Sequence, residues 1–381
     1  MMTAVLAAYV HSIDPVAFHL GPLAIRWYGL SYMAGFAVAW VLLQQFSKKG
    51  RTPLSTQAVG DLMFYMVIGV LAGGRLGYVL FYDQRLLIDF SSHFPFWGVF
   101  AITRGGMSSH GGIVGVILMS IFYSRRYRIA PLHLFDLAAF FCTPGLFFGR
   151  IANFVNAELW GRALPQALQS EPPGWSVKYP QEILERWMPA LRQGRQTAEQ
   201  HEAAIARVAS DLHITVPPDQ LAGVVIAELE RRLDLIEQQL GPVIGLDQNF
   251  YERVVRLARD SGDLLHEQVT SALSPLLTAY HPSQLYQAVT DGPILFAVLA
   301  VVWLRPRKPG VVGGAFLITY GILRLVTELF RQPDAGVELT LNLLTRGQTL
   351  SALMIVCGAG MVAWGSRRDV PKMGGLLGKQ S

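Results

Sequence analysis

The sequence predicts an all-α polytopic membrane protein with about seven transmembrane helices and an α-helical insertion on the outer face. Three observations support this fold class. Of the 381 residues, 51% are hydrophobic and only 15% are charged, whereas about 25% of the residues in a soluble domain are charged. Several apolar segments reach the roughly 20 residues that a bilayer requires. The stretch 171–280 is different, because it holds 26 of the 59 charged residues and has a net charge of −6.

The apolar segments divide the chain into two membrane-embedded parts separated by the charged stretch. We expect 1–165 to form a membrane body with four spans, 166–280 to form an extracytoplasmic insertion, and 281–381 to form three further spans and a short cytoplasmic tail. The third span is short and rich in glycine. The predicted spans are 24–46, 59–82, 109–124, 132–155, 284–304, 312–330 and 347–365.

The basic residues between the spans predict the orientation. Clusters of Lys and Arg follow the first, third, fifth and seventh spans, at 47–51, 124–128, 305–308 and 366–368. Because positively charged loops remain in the cytoplasm, the N-terminus is expected outside and the C-terminus inside. Short basic clusters between apolar runs are typical of membrane loops, so the excess of positive charge does not indicate nucleic-acid binding.

The insertion has the pattern of soluble helices. We expect helices at about 181–210, 217–240 and 249–271, because apolar residues recur there at intervals of three and four. This pattern favours a solvated helical cap, and a specific docking role is the alternative. If the insertion is only a cap, replacing about 175–275 with a linker leaves the membrane body folded.

Polar side chains inside the predicted spans mark a candidate site. A charge at the centre of a span costs about 2.5–3.5 kcal/mol and therefore needs a partner. Arg75 lies in the second span, and the fourth span ends in a run that carries Arg150, Asn153, Asn156 and Glu158.

The sixth span carries Tyr320, Arg324 and Glu328, spaced four residues apart, and Arg331 follows. This spacing places them on one helix face, where Arg324 and Glu328 can form an ion pair. A structural ion pair is one interpretation of this group. A second guanidinium on the fourth span, that of Arg150, favours the other interpretation, a pocket for a phospholipid phosphate.

His110 lies between glycines where the third span begins. A single histidine is most often a polar residue whose hydrogen bonds are satisfied, but flanking glycines leave this one open to a substrate. The sequence has no GxSxG elbow, HExxH motif or P-loop, which counts against serine hydrolysis, zinc proteolysis and nucleotide-driven transport. With only two cysteines, the chain also lacks a disulfide framework and a cysteine-rich zinc site.

Six motifs in order resemble those of the prolipoprotein diacylglyceryl transferase family, and together they cover essentially all the predicted spans. The motifs are RWYGLSY (26–32), GGRLGYVLFY (73–82), GGMSSHGG (105–112), GRIANFVNAELWGR (149–162), HPSQLY (281–286) and YGILRLVTELFRQPD (320–334). Arg26, Ala152 and Gln287 stand where the family often has His, Gly and Glu, and the outer segment is longer than usual.

The resemblance implies a transferase in the bacterial plasma (inner) membrane. Such an enzyme transfers the diacylglyceryl group of phosphatidylglycerol to the lipobox cysteine in the signal peptide of a preprolipoprotein. A thioether forms and glycerol phosphate leaves. No metal, nucleotide or organic cofactor is expected, because the phospholipid supplies its own leaving group.

The resemblance also implies roles for individual residues. Arg150 falls on the phosphatidylglycerol-binding arginine of the family, and His110, Arg324 and Tyr28 are the expected catalytic residues. His110 is the candidate base for the thiol, although the arginines alone could lower the thiol pKa enough. The other expected substrate-binding residues on the family's positions are Asn153, Glu158, Gly161, Tyr320, Glu328 and Arg331, and Asn156 is added from the polar run that ends the fourth span.

Two alternatives remain at the level of the sequence. The first is a transporter or flippase that binds an anionic lipid in transit, although the chain shows no internal repeat of the kind such proteins often have. The second is a non-catalytic scaffold whose insertion binds a partner.

Overall fold

The computed structural model describes residues 8–21, 23–93, 95–101, 105–191, 197–260, 262–332 and 345–377. Most of these residues are helical. The α-helices are α1 Trp27–Lys48, α2 Thr56–Phe81, α3 Ser109–Tyr127, α4 Pro131–Phe141, α5 Thr143–Val155, α6 Met188–Leu191, α7 Ala198–Asp211, α8 Pro218–Ile244, α9 Phe250–Arg259, α10 His266–Leu273, α11 Ser283–Val289, α12 Leu295–Val302, α13 Val311–Glu328 and α14 Arg346–Arg367. The strands are β1 Tyr9–Val10, β2 Val16–Leu20, β3 Leu23–Arg26, β4 Val177–Lys178 and β5 Ala279–Tyr280.

Five helical segments in the described part of the chain are long and apolar enough to cross a membrane, and α4 and α5 make a sixth if that pair, bent by 42°, is one span. This confirms a mostly helical polytopic membrane protein. The predicted third span forms α3, a helix of 19 residues, which is not among those six. The count of seven and the orientation therefore stay predictions. The five continuous segments are Trp27–Lys48, Thr56–Phe81, Ser283–Val302, Val311–Glu328 and Gly347–Arg367.

The first span begins later than predicted. Residues 24–26 were expected to be helical, but they belong to β3, which pairs with β2 in an antiparallel hairpin. Ala24 pairs with His19 and Arg26 pairs with Val16, so the backbone of this segment is held in a sheet ladder. The helix begins at Trp27, where that ladder ends.

The chain divides into two compact units that interleave along the sequence. The first unit takes the described residues of Met1–Tyr32, Phe147–Thr290 and Ile322–Ala352. The second unit takes those of Met33–Leu146, Asp291–Gly321 and Leu353–Ser381. This division does not follow the three consecutive segments expected from the sequence, and that domain organisation stays a prediction.

In the second unit, glycines bring α2 and α3 into close contact. A Cβ built on Gly77 would lie 2.7 Å from the Cα of Gly111, and one built on Gly73 would lie 2.8 Å from the Cα of Gly115. Only glycine leaves room for backbones at this separation, as in small-residue interfaces between membrane helices. Elsewhere in this unit, Asp136 accepts hydrogen bonds from the backbone amides of Gly310 (2.8 Å) and Gly313 (2.7 Å) around the start of α13.

The first unit contains a small sheet in the order β1-β4-β5. It joins the N-terminal segment to both ends of the insertion, because β1 runs parallel to β4 and β4 runs antiparallel to β5. The all-α class therefore describes most of the chain, and short strands connect parts that are far apart in sequence.

The insertion has a hydrophobic core of its own. On α8, Val225, Leu229, Leu233, Ile236 and Leu240 are buried and recur every three or four residues, so the helix predicted at 217–240 is confirmed. The helix predicted at 249–271 is split into α9 and α10, because the Asp260 side chain accepts the backbone amide of Gly262 (3.1 Å) and turns the chain. The helix predicted at 181–210 is also broken, and residues 192–196 within it lie outside the described residues.

The insertion also packs against other parts of the first unit, so it is not only a solvated cap. Tyr179 is fully buried and stacks on Trp160 of the fourth-span motif at 4.7 Å. The Glu182 carboxylate accepts hydrogen bonds from the backbone amide (3.0 Å) and hydroxyl (2.7 Å) of Thr278, at the opposite end of the insertion. A linker in place of 175–275 would remove these contacts, so we expect the rest of the first unit to lose stability without them.

Candidate active site

The fourth-span motif forms an irregular turn after α5. Ala157 and Leu159 both have positive φ angles (57° and 56°), an uncommon conformation that costs free energy for residues other than glycine. The indole nitrogen of Trp160 donates to the carbonyl of Ala157 (2.6 Å). The side-chain amide of Asn156 donates to the Glu158 carboxylate (3.2 Å). The turn therefore holds two of the predicted substrate-binding residues against each other.

Gly161 joins this turn to the segment that follows α13. It forms an isolated antiparallel bridge with Arg331, and the amide of Arg162 donates to the carbonyl of Phe330 (2.8 Å). A Cβ on Gly161 would overlap the carbonyl oxygen of His281 and come within 2.8 Å of that of Phe330. The backbone packing therefore requires glycine at this predicted site residue.

The HPSQLY motif binds the same turn. The side-chain amide of Gln284 donates to the carbonyl of Glu158 (2.6 Å), and the Ser283 hydroxyl donates to that of Leu159 (3.1 Å). Tyr179 of the insertion donates its hydroxyl to the side-chain oxygen of Gln284 (3.3 Å). Motifs separated by more than 100 residues thus meet in the first unit.

Glu328 is a buried carboxylate between two predicted site arginines. Its Oε2 lies 3.8 Å from a guanidinium nitrogen of Arg324 and 3.9 Å from one of Arg331. These distances are longer than hydrogen bonds, and Oε2 accepts none from any described residue. A Cβ on Gly347 would lie 2.8 Å from Oε1, so the glycine leaves room for the carboxylate. Glu328 can hold Arg324 electrostatically while the guanidinium keeps donors for an anion.

Tyr28 lies near the charged end of the fourth-span motif. Its hydroxyl is 3.4 Å from that of Tyr32, and it is close enough to Arg150 and Glu158 for the charges of both to act on it. Asn153, one turn after Arg150, is buried, and its carbonyl accepts the amide of Glu158 (2.9 Å). These predicted residues share the first unit with Arg324, Glu328 and Arg331.

The other two predicted residues, His110 and Tyr320, belong to the second unit. His110 is exposed in the first turn of α3. Arg75 orders the loops before it, because its guanidinium donates to the carbonyls of Gly98 (2.6 Å) and Val99 (2.8 Å) and of Gly105 (2.6 Å) and Gly106 (2.9 Å). Arg75 therefore finds carbonyl partners rather than an ion-pair partner. The ring of Tyr320 stacks on Phe316 at 5.6 Å. A common site formed by His110, Tyr320 and the residues of the first unit stays a prediction.

Sequence reasoning singled out the HPSQLY motif but assigned no site residue within it. In the structure, His281 packs against Trp175 and Phe330, with ring centroids 5.3 Å apart in both pairs. Burial lowers the pKa of His281, which favours its neutral form. The motif itself was the available signal, since a polar run directly before an apolar span needs partners for its side chains.

The described residues contain no group of three or more His, Cys, Asp or Glu side chains that could hold a metal ion. Among them, the donors that the site offers are guanidinium, amide and hydroxyl groups. Such donors suit an anion with several acceptor oxygens, and a phosphate group is the common biological example.

Comparison with known proteins adds an independent result. The family model described as prolipoprotein diacylglyceryl transferase matches residues 15–364 of this chain. A phosphatidylglycerol–prolipoprotein diacylglyceryl transferase of Bdellovibrio bacteriovorus is 40% identical over 359 residues, which cover 93% of this chain and 94% of that protein. Proteins with the same name from Xylella fastidiosa and Chromobacterium violaceum are 35% and 32% identical, over 92% and 93% of this chain and 92% and 96% of their own lengths.

Proposed function

This chain belongs to the prolipoprotein diacylglyceryl transferase family, and we propose that the polar residues around Gly161 and Glu328 form its active site. It is a transferase that performs the first step of lipoprotein maturation. Its substrates are phosphatidylglycerol and a prolipoprotein. We place the enzyme in the inner membrane of a bacterium, with seven spans, the N-terminus outside and the C-terminus in the cytoplasm.

The proposed reaction is a displacement at carbon. The lipobox cysteine of the signal peptide attacks the glycerol carbon that carries the phosphate. A carbon–sulfur bond forms, the bond from that carbon to the phosphate oxygen breaks, and glycerol phosphate leaves with the bonding electron pair. The thiol proton passes to a base, because only a few per cent of a free thiol with a pKa near 8.5 is ionised at pH 7.

The meeting of three distant motifs at Gly161 is the observation that carries this proposal. Arg324 and Arg150 would stabilise the negative charge that grows on the departing phosphate, an effect for which one donor is typically worth about 2.7–4 kcal/mol. Glu328 would position Arg324. Tyr28, Asn153, Asn156, Glu158, Tyr320 and Arg331 would complete the contacts with the substrate.

His110 is the proposed base for the thiol. Its exposed position in the first turn of α3 leaves the imidazole accessible, and histidine is the side chain that ordinarily titrates near neutral pH. Arg75 supports this role indirectly, since it binds the loops that lead to His110. The lipid bilayer would deliver both substrates to the site.

Substitution of Arg150 tests the proposed phosphate contact. Arg150→Lys keeps the charge but loses the planar fork, and we expect transfer to a lipobox peptide to fall at least tenfold. Arg150→Ala should fall further. The matched control is Arg256→Lys, since Arg256 is exposed on α9 of the insertion. Near-normal transfer in both Arg150 variants would remove Arg150 from the active site.

A further inference from the structure

A polar cavity of about 160 Å³ lies where the insertion meets the turn after α5 and the segment after α13. Its volume is more than ten times the ~10–15 Å³ that one water-sized sphere occupies. Three arginines contribute to its wall: Arg186 and Arg207 come from the insertion, and Arg331 follows α13. One carboxylate, that of Glu185, also lines it.

Arg186 is built into the wall of this cavity and is more than nine-tenths buried, with 6% of its side chain exposed. Its guanidinium lies 4.9 Å from the centre of the Trp160 ring, and its Nη2 donates to the side-chain oxygen of Gln332. Its Nη1 lies 3.5 Å from an oxygen of Asp211 but makes no hydrogen bond with any described residue. A buried donor held only in this long ion pair keeps hydrogen-bonding capacity, so an acceptor in the cavity would add to the arrangement.

The second insertion arginine has a weak partner. Arg207 donates from Nη2 to the same oxygen of Gln332 at 3.4 Å, so one amide oxygen faces two guanidinium groups. The nitrogen of that amide donates to Asp211 (2.7 Å), which fixes the oxygen toward the arginines. Each guanidinium has five N–H donors, so both keep donors for a further acceptor.

Glu185 shows which acceptor suits the cavity. A carboxylate beside arginines opposes a simple anion, but it accepts hydrogen bonds from hydroxyl groups. The wall therefore matches a molecule that has phosphate oxygens at one end and hydroxyl groups at the other.

We infer that this cavity binds a glycerol phosphate group, with Arg186, Arg207 and Arg331 on the phosphate and Glu185 on the glycerol hydroxyls. This inference rests on the proposed function, because the reaction releases glycerol phosphate. The same group also occurs as the headgroup of intact phosphatidylglycerol. The insertion, through Arg186 and Arg207, would thus bind the product or the headgroup.

Calorimetric titration of the full-length protein in detergent tests this inference, with sn-glycerol phosphate, inorganic phosphate and glycerol as the probes. We expect glycerol phosphate to bind the unchanged protein, and Arg207→Gln to weaken binding about tenfold or more, as the loss of a charge-assisted hydrogen bond implies. Arg207 is half-buried, so its replacement disturbs the core less than that of Arg186. Arg256→Gln, an exposed change on the same insertion, should leave binding unchanged.

Two further measurements show whether the cavity binds free glycerol phosphate or the headgroup of the lipid. If Arg207→Gln weakens glycerol phosphate binding and reduces inhibition of transfer by added glycerol phosphate, with KM for phosphatidylglycerol unchanged, the cavity binds the free product. If Arg207→Gln raises KM for phosphatidylglycerol in mixed micelles, the cavity binds the headgroup of the lipid. Glu185→Gln should weaken glycerol phosphate binding more than phosphate binding, because only glycerol phosphate has the hydroxyls.

Equal affinity for glycerol phosphate in the unchanged protein and Arg207→Gln, with equal KM for the lipid, would overturn the inference. So would a failure of the unchanged protein to bind glycerol phosphate while its KM is insensitive to Arg207→Gln. Transfer to a lipobox peptide, measured on the same preparation, separates the two claims. Active protein with no response at the cavity contradicts this inference alone, whereas folded protein without transfer contradicts the proposed function.

Discussion

The carbonyl oxygen of His281 lies directly against Gly161, in the space that a Cβ on residue 161 would occupy. The same two segments are joined by a hydrogen bond from the backbone amide of His281 to the carbonyl of Arg162 (3.0 Å). Gly161 also forms a backbone bridge with Arg331, so three segments of the chain are held at distances that a single methyl group would change.

Gly161→Ala should separate these segments. Because the carbonyl of His281 belongs to backbone and cannot rotate away, we expect a loss of stability of about 1–3 kcal/mol, as for overpacked cores, and at least a tenfold loss of transfer. Thermal unfolding in detergent and transfer to a lipobox peptide measure the two effects. Gly223→Ala is the control, since a Cβ there meets no atom within 4 Å. Equal stability and activity in Gly161→Ala would contradict the packing argument.

Glu328→Gln should remove the negative charge that holds Arg324 in place. The amide keeps the size of the side chain, so we expect a folded protein whose transfer falls at least tenfold, with a higher KM for phosphatidylglycerol. Glu228→Gln is a matched control, because Glu228 also faces two arginines, Arg231 and Arg232, at 2.8 Å. These two ion pairs lie on a partly exposed face of α8, and exposed ion pairs are worth about 0–1 kcal/mol. If both variants keep full transfer, Glu328 does not position Arg324.

His110→Ala should impair transfer near pH 7. If His110 takes the thiol proton, activity should recover in part as the pH rises toward about 8.5, where a free thiol ionises without help. The measurement is the pH profile of kcat between pH 6.5 and 9. His19→Ala, an exposed histidine of β2, should keep the profile of the unchanged protein. A folded His110→Ala variant that is equally inactive across this range would indicate a binding role instead.

His11 should make the first unit less stable at low pH. Burial, together with the charge of Arg259, lowers the pKa of His11 to about 4, below the 6.5 of an unfolded chain. Stability is therefore fully present above pH 6.5 and is lost as the pH falls from 6.5 toward 4, by up to about 3 kcal/mol. The imidazole Nε2 lies 2.8 Å from the carbonyl of Phe154, a contact that the amide of His11→Gln can replace.

The thermal midpoints of the two proteins between pH 7.5 and 4.5 check this expectation. The unchanged protein should lose more stability than His11→Gln over this range, since other acid-sensitive groups act on both. Parallel curves would show that His11 does not titrate with folding.

Local patterns were sufficient to predict much of the fold. The apolar runs located the helices of the membrane body, and the interval of three and four residues identified α8 with its buried face at Val225, Leu229 and Ile236. The late start of α1 was not predictable in this way. Ala24 and Ile25 are apolar enough to extend the span, but pairing with β2 holds residues 24–26 in a sheet. Local composition does not show which strands will pair.

The motifs also indicated which residues matter without showing how they meet. That Gln284 donates to the carbonyl of Glu158, and that Gly161 packs on His281, depends on contacts across more than 100 residues. The role of the insertion was missed for the same reason. Tyr179 and Arg186 look like ordinary residues of a helical cap, yet both pack on Trp160.

One measurement tests the central claim most directly. The purified full-length protein is mixed in detergent with phosphatidylglycerol and a peptide that contains a lipobox cysteine, and the peptide is analysed by mass spectrometry. We predict a peptide that carries a diacylglyceryl group in thioether linkage, with one glycerol phosphate released per peptide and no product from the Cys→Ser peptide. A folded, lipid-binding protein that forms no thioether, or that only moves phosphatidylglycerol between leaflets of a vesicle, would contradict the account.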